Sequence, residues 1–287
     1  MTTEERQIIV AALAEDTGAG DPTTEATVEG NPVGLAYFLA KADGILSGVE
    51  YACETFKIFA EQCNRSGSVS YSILIKDGTR ISRGDKLAEV TAPLDVILTA
   101  ERVSLNLLQR MSGIATMTAQ FVELVKGTNA TILDTRKTVP LLRLFDRYAV
   151  RCGGGKNNRY SLGDMILVKD NHIAANGGDI ERVIEKLRAY INVHQDIPVE
   201  FEVTSLEQFA IVVKNGSGVI DRVMFDNFPI EMLREAVRIN AGLFETEASG
   251  GVNLQTVRAI AETGVDYISV GALTHSVTGM DISLEIE

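Results

Sequence analysis

The sequence predicts an α/β protein in which a mostly β N-terminal region precedes a compact α/β barrel with an incomplete strand count. Three observations predict it. Beyond Gly127, six short β-rich runs alternate with helical patterns, as expected of βα units around a parallel sheet. These runs occupy about 150 residues, too few for a full eight-strand barrel of about 250. Ahead of them, residues 33–92 read mostly as strands and 96–126 as one long amphipathic helix. An open doubly wound sheet is the competing architecture. No GxGxxG opens a helix after a first strand, however, and Gly153-Gly154-Gly155 lacks that setting.

Residues 4–15 (EERQIIVAALAE) read as a short helix, with Ile8, Ile9, Ala12 and Leu13 on one face and acidic residues in the first turn. The helix stops at the loop-forming run Asp16-Thr17-Gly18-Ala19-Gly20-Asp21-Pro22. Strand patterns follow in GLAYFLAKA, GILSGV, SVSYSILI and KLAEVTA, with a helix near 50–62. The stretch Asp77–Val90 looks like the hairpins of biotinyl/lipoyl-type β-sandwiches. No attachment lysine in a motif follows, so it counts as architecture only. In 96–126, Leu98, Leu105, Leu108, Met111 (or Leu107), Ile114, Met117, Phe121 and Val125 form one stripe of a long helix able to connect two domains, and Gly113 marks a bend or break.

The six later runs are ATILDT, DMILVKD, VEFEV, RVMFDN, GLFETEAS and DYISVGA, with helices at 179–191, 205–215, 230–240 and 253–263. The final Met280–Glu287 alternates with period two, like an extra strand returning to the N-terminal domain.

The 287 residues carry 27 Lys+Arg and 39 Asp+Glu, a net charge of −12, and 45% are hydrophobic. That composition supports a full core and argues against disorder, and the acidic balance argues against general nucleic-acid binding. Cys53, Cys63 and Cys152 are odd in number, widely spaced and without CxxC, which suits reduced thiols rather than disulfides or zinc. No apolar run approaches the ~18–20 residues of a membrane helix, and the acidic start lacks a signal peptide's basic end. A soluble, cytoplasmic protein with no membrane or nucleic-acid partner is the expectation.

Polar residues cluster where the apolar strand runs end: Asp134-Thr135-Arg136-Lys137, Lys169-Asp170-Asn171-His172, Glu202, Asp226-Asn227, Glu247–Gly251 and Gly271-Ala272. In a barrel these ends converge on one mouth, where chemistry is done. Arg136, Lys137, Arg159 and Lys169 read as a cationic pocket for a poly-anionic substrate, the alternative being solvated loop cations. Glu202 and Asp226 either pair with those cations or hold Mg²⁺ together with substrate phosphate oxygens. Ser249-Gly250-Gly251 precedes a helix pattern on the penultimate strand and, with Gly271–His275, suits phosphate binding through bare backbone N–H groups. His275 is either a phosphate neighbour or a surface helix residue.

The stretches EDTGAGDPTT, DGILSGVE, ERVSLNLLQRMSGIAT, ILDTRKTVP, AVRCGGGKNNR, ILVKDNH, EFEV, FDNF, EASGG and DYISVGALTHS resemble the quinolinate phosphoribosyltransferase family over essentially the whole length. The resemblance implies an incomplete, six- or seven-stranded α/β barrel (114–277) with an N-terminal α+β open-sandwich domain (1–113) that strand 278–287 joins. It implies a homodimer with shared active sites, converting quinolinate and 5-phosphoribosyl-1-pyrophosphate into nicotinate mononucleotide, pyrophosphate and CO₂ in NAD biosynthesis, with Mg²⁺. Carried over, Arg102 (from the partner chain), Arg136, Arg159 and Lys169 would contact substrate carboxylates, and Lys137 would lie near the pyrophosphate or reacting centre. Glu202 and Asp226 would hold Mg²⁺ and the ribose hydroxyls. Ser249, Gly250, Gly251, Gly271 and Ala272, with His275 beside them, would take the 5-phosphate. Lys137, Lys169, Glu202 and Asp226 are thus the catalytic candidates.

One position departs from the family pattern. Its GGGxNHR reads Gly153–Arg159 with Asn158 in place of the usual substrate-contacting His. Asn donates a hydrogen bond but carries no charge and shuttles no proton. A paralogous phosphoribosyltransferase for another carboxylated heterocycle, and a phosphate-sugar-binding pseudoenzyme, are the alternatives this leaves. A Schiff-base aldolase using Lys137 or Lys169 is a third, disfavoured by the number of arginines nearby.

Overall fold

The computed structural model describes residues 1–194 and 196–287. Helix α1 (Thr3–Thr17) begins under a capping box between Thr2 and Glu5 and ends at Gly18. The run read as pure loop contains a short helix, α2 (Pro22–Thr27), because Asp21 caps it, accepting from Thr24 N (3.0 Å) and Thr24 Oγ1 (2.6 Å), with Pro22 in the first turn. Then come β1 (Val33–Ala40), β2 (Gly44–Ile45), α3 (Val49–Gln62), β3 (Ser70–Ile73), β4 (Arg80–Ile81), β5 (Lys86–Pro93) and α4 (Leu94–Leu124). The hairpin expected over 77–90 does not close on itself. Strand β4 pairs instead with β2, while β5 pairs antiparallel with both β1 and β3. Asp77 accordingly binds the N-terminus of α3, accepting from Gly48 N (2.9 Å) and Val49 N (3.1 Å).

Helix α4 runs through Gly113 without the expected break. The glycine serves close approach: a Cβ there would overlap the carbonyl of Thr278. Packing divides the chain into two units, and the division differs from a linear cut at 113. The first holds residues 1–119, 138–154 and 273–287, and the second 120–137 and 155–272. The first unit includes α5 (Arg143–Cys152), which lacks a side-chain cap and any strong start signal. It is held by buried Asp146, which accepts from Arg110 Nε and Nη2, both at 2.8 Å.

The second unit holds β6 (Thr131–Leu133), β7 (Ile166–Val168), α6 (Asp170–Ala174), α7 (Ile180–Ile191), β8 (Val199–Val203), α8 (Leu206–Asn215), β9 (Arg222–Asp226), α9 (Ile230–Asn240), β10 (Glu245–Ser249), α10 (Val257–Ala261) and β11 (Tyr267–Ser269). Helix α11 (Ala272–His275) follows, and β12 (Ile282–Ile286) completes a four-stranded antiparallel sheet, β12-β1-β5-β3. The parallel sheet runs β6-β11-β10-β9-β8-β7, so the first strand lies beside the last, as in a barrel and unlike a doubly wound sheet. On its other side β6 makes one parallel bridge, Leu133 to Lys156, a rudimentary seventh strand. The six named strands do not close, since β6 and β7, at the two ends of the order, do not pair with each other.

Apolar residues of β8 and β9 pack outward on the helices. Phe209 of α8 meets Phe225 edge-on at 5.0 Å, and Phe201 is fully buried. The residues alternating with them, Glu200, Glu202, Arg222 and Met224, therefore point to the inside of the barrel. Among the described residues no helix is long and apolar enough to cross a membrane.

Candidate active site

Each strand hands the chain to a turn that presents polar groups. At the end of β6, Asp134 is fully buried and accepts from Asn157 Nδ2 (2.6 Å) and Asn158 N (2.7 Å), which fixes residues 155–159 beside the strand. Thr135 Oγ1 then accepts from Lys137 N (3.1 Å), shaping the turn that carries Arg136 and Lys137. Arg136 Nε is buried with no hydrogen-bond partner among the described residues. Arg159 Nη1 donates to Met165 O (2.9 Å). Burial, and after it the neighbouring Arg136 guanidinium, hold Arg159 below the usual arginine value. Two guanidiniums thus share one partly dry region.

After β7, Lys169 Nζ lies 2.8 Å from Glu202 Oε2 at the end of β8, where Glu202 is 6% exposed. Asp226 closes β9, and its Oδ2 accepts from Asn227 Nδ2 at 2.8 Å. Asn227 is left-handed (φ 57°) and donates its N–H to Ser249 O (2.8 Å), joining the ends of β9 and β10. Gly250 (φ 93°) packs against Asn227 so closely that a Cβ would overlap its amide, and Gly251 (φ 62°) opens to free space. Only glycine suits this pair of left-handed residues with exposed backbone, a shape that cradles anions. The helix expected from 253 begins only at Val257, because Asn253 turns the chain first, its Oδ1 accepting from Gln255 N and Thr256 N. Gly271 and Ala272 follow β11.

Arg136, Lys137, Asn158, Arg159, Lys169, Glu202, Asp226, Ser249, Gly250, Gly251, Gly271 and Ala272 all lie in the second unit, at or just after strand ends. Arg102 and His275 belong to the first. The Arg102 side chain is 59% exposed on α4, and His275 Nδ1 pairs with Ser276 Oγ at 2.7 Å. Among the described residues no three His, Cys, Asp or Glu side chains converge on a metal position. Two carboxylates on adjacent strand ends nonetheless fit Mg²⁺ when phosphate oxygens complete its shell.

Sequence reasoning missed Glu200 and Arg222 and took Glu247 for a strand-end group, whereas all three are charges below this mouth. Glu200 and Glu247 are fully buried, and Arg222 Nη1 donates to Glu247 Oε2 (3.3 Å) while its Nη2 donates to Glu245 Oε2 (2.9 Å). The signal was present as a pair of charges two residues apart in VEFEV (Glu200, Glu202) and in ETEAS (Glu245, Glu247). Burial, then the Glu247 carboxylate, push Glu200 up to about 9. The folded chain therefore holds a proton that the unfolded chain releases near 4.5, so stability falls as pH rises between those values. Thermal melts should show Tm dropping several degrees from about pH 6 to about pH 9, and Glu200→Gln should flatten that slope. An unchanged slope would contradict the buried-acid assignment.

The chain matches two families along its length: quinolinate phosphoribosyl transferase, N-terminal domain, over residues 21–112, and C-terminal domain, over 114–285. It is 44% identical to the chloroplastic nicotinate-nucleotide pyrophosphorylase [carboxylating] of Arabidopsis thaliana, covering 98% of this chain and 82% of that one. Identity to the Mycobacterium leprae protein of the same name is 42%, covering 98% and 96%. Among solved structures, the nicotinate-nucleotide pyrophosphorylase of Ehrlichia chaffeensis superposes with TM-score 0.90 at 36% identity, covering 100% and 99% of the two chains. That of Francisella tularensis gives 0.88 at 34%, covering 99% and 96%.

Proposed function

The chain belongs to the quinolinate phosphoribosyl transferase family and forms nicotinate mononucleotide, pyrophosphate and CO₂ from quinolinate and 5-phosphoribosyl-1-pyrophosphate, and from this premise we propose how its strand ends divide the work. The observation that carries the proposal is the pair Arg136 and Arg159, one with a buried donor unpartnered among the described residues and both of a type that can hold a carboxylate in bidentate fashion. Lys169 adds a third cation, and quinolinate brings two carboxylates. The pocket then sets the ring nitrogen in line with ribose C1. The nitrogen lone pair forms the new C–N bond as the C1–O bond to pyrophosphate breaks, with oxocarbenium character between.

Lys137 faces the departing pyrophosphate, and Ser249, Gly250, Gly251, Gly271 and Ala272 hold the 5-phosphate. Asp226, and the Glu202 oxygen not taken by Lys169, hold the ribose hydroxyls and would hold Mg²⁺. Bound there, Mg²⁺ would neutralise charge on the pyrophosphate. The carboxylate beside the quaternised nitrogen next leaves as CO₂. Its bonding electrons pass to the ring carbon, which takes a proton. A cytoplasmic setting belongs to the same proposal and is supported by three cysteines that are all free.

Calorimetric titration tests the pocket. Quinolinate should bind at least about tenfold tighter than nicotinate, since the second carboxylate adds a charge-assisted contact of about 1.5–3 kcal/mol. Equal affinities would sink the assignment.

We also propose that the enzyme is a homodimer and that Arg102 serves the partner's site, a reading supported by its exposure on α4. Mixing inactive Arg102→Ala chains with inactive Lys169→Ala chains should restore about a quarter of wild-type activity per dimer at random exchange. No recovery despite demonstrated exchange would place the site within one chain.

A further inference from the structure

The amide of Asn158 is engaged inside its own barrel. Its Oδ1 accepts from Arg159 N at 2.7 Å, its Nδ2 reaches Glu247 Oε2 at 3.5 Å, and its own N–H is held by Asp134. Glu247 is fully buried and tethered from below by Arg222. A carboxylate fixed in the wall of the barrel therefore orients an amide whose other end grips the backbone of the arginine assigned to the substrate. We propose that Asn158 and Glu247 are positioning residues that set the specificity for a dicarboxylate: Glu247 aims the Asn158 amide, and Asn158 fixes Arg159 for the carboxylate it binds. This rests on the role given to Arg159 above. Asn158 acts through Arg159 rather than on the substrate directly.

A swap of donor and acceptor separates this link from a direct electrostatic effect. Asn158→Asp keeps an acceptor for Arg159 N–H but turns a carboxylate toward Glu247. It should raise KM for quinolinate at least about tenfold, with KM for 5-phosphoribosyl-1-pyrophosphate within about threefold of wild type. Glu247→Gln alone keeps an acceptor for the Asn158 amide, and Arg222 retains Glu245, so KM should move by less than about threefold.

The double variant restores an N–H···O contact with reversed roles and should bring KM for quinolinate back to within about threefold of wild type. A double variant as impaired as Asn158→Asp would overturn the proposal, as would parallel rises in both KM values. Should Asn158→Asp not fold, Asn158→Ala takes its place: a selective rise in quinolinate KM supports the link, and an unchanged KM overturns it. Wild type unable to turn over quinolinate would instead overturn the parent reading, and that arm is measured first.

Discussion

Arg136→Ala and Lys169→Ala are each expected to cut kcat/KM for quinolinate at least about tenfold while the protein stays folded, because each removes a charge-assisted contact of about 1.5–3 kcal/mol. The two act differently. The Nε of Arg136 is a buried donor without a partner among the described residues, so its loss takes away no hydrogen bond of that atom within them. Lys169 is paired with Glu202, which is nearly buried, and its loss leaves that carboxylate without its cation. Glu202 is then no longer held in place for a ribose hydroxyl or a metal. Arg136→Ala should therefore act mainly through quinolinate KM, and Lys169→Ala on both substrates. Steady-state kinetics beside thermal melts check this. Near-normal kinetics in both variants would remove the cationic pocket.

Gly250→Ala should raise KM for 5-phosphoribosyl-1-pyrophosphate at least about tenfold, through backbone strain of about 1–2 kcal/mol and displacement of its neighbour. At φ 93° the added Cβ would overlap the Asn227 amide and stand 2.9 Å from its backbone N. Asn227 in turn holds Asp226, so one methyl group disturbs both the phosphate turn and the carboxylate assigned to ribose and metal. Gly251→Ala, also left-handed but with nothing within 4 Å of the new atom, should cost less. Equal effects in the two variants would show that strain alone, rather than the Asn227 contact, governs this turn.

Much of the architecture was legible because local pattern and burial agree. Runs such as VEFEV and RVMFD, bounded by turn chemistry, became strands, and their ends supplied the polar groups expected of a barrel mouth. Features that depend on distant partners were not legible. Gly113 reads as a helix breaker until the backbone at Thr278 is laid against it. Helix α5 lacks a cap and is anchored by an ion pair from Arg110, 36 residues earlier. The hairpin at 77–90 had the right turn residues, but β4 found its partner in β2.

The charged interior is the clearest case. Glu200 and Arg222 drew no assignment and Glu247 read as a strand-end group, because a buried charge is tolerable only with counter-charges that the fold brings from other strands. Asn158 illustrates the same point at the site: its residue type was plain in the sequence, and the direction of its amide was not.

The most direct test of the whole account is turnover by the purified protein with 5-phosphoribosyl-1-pyrophosphate, Mg²⁺ and a panel of pyridine carboxylates, reading pyrophosphate and CO₂ together. The predicted result is release of both in equal amounts with quinolinate, at least about tenfold faster than pyrophosphate release with nicotinate, as the one lost charge-assisted contact would give. Strong pyrophosphate release with another heterocycle and negligible turnover of quinolinate would contradict it.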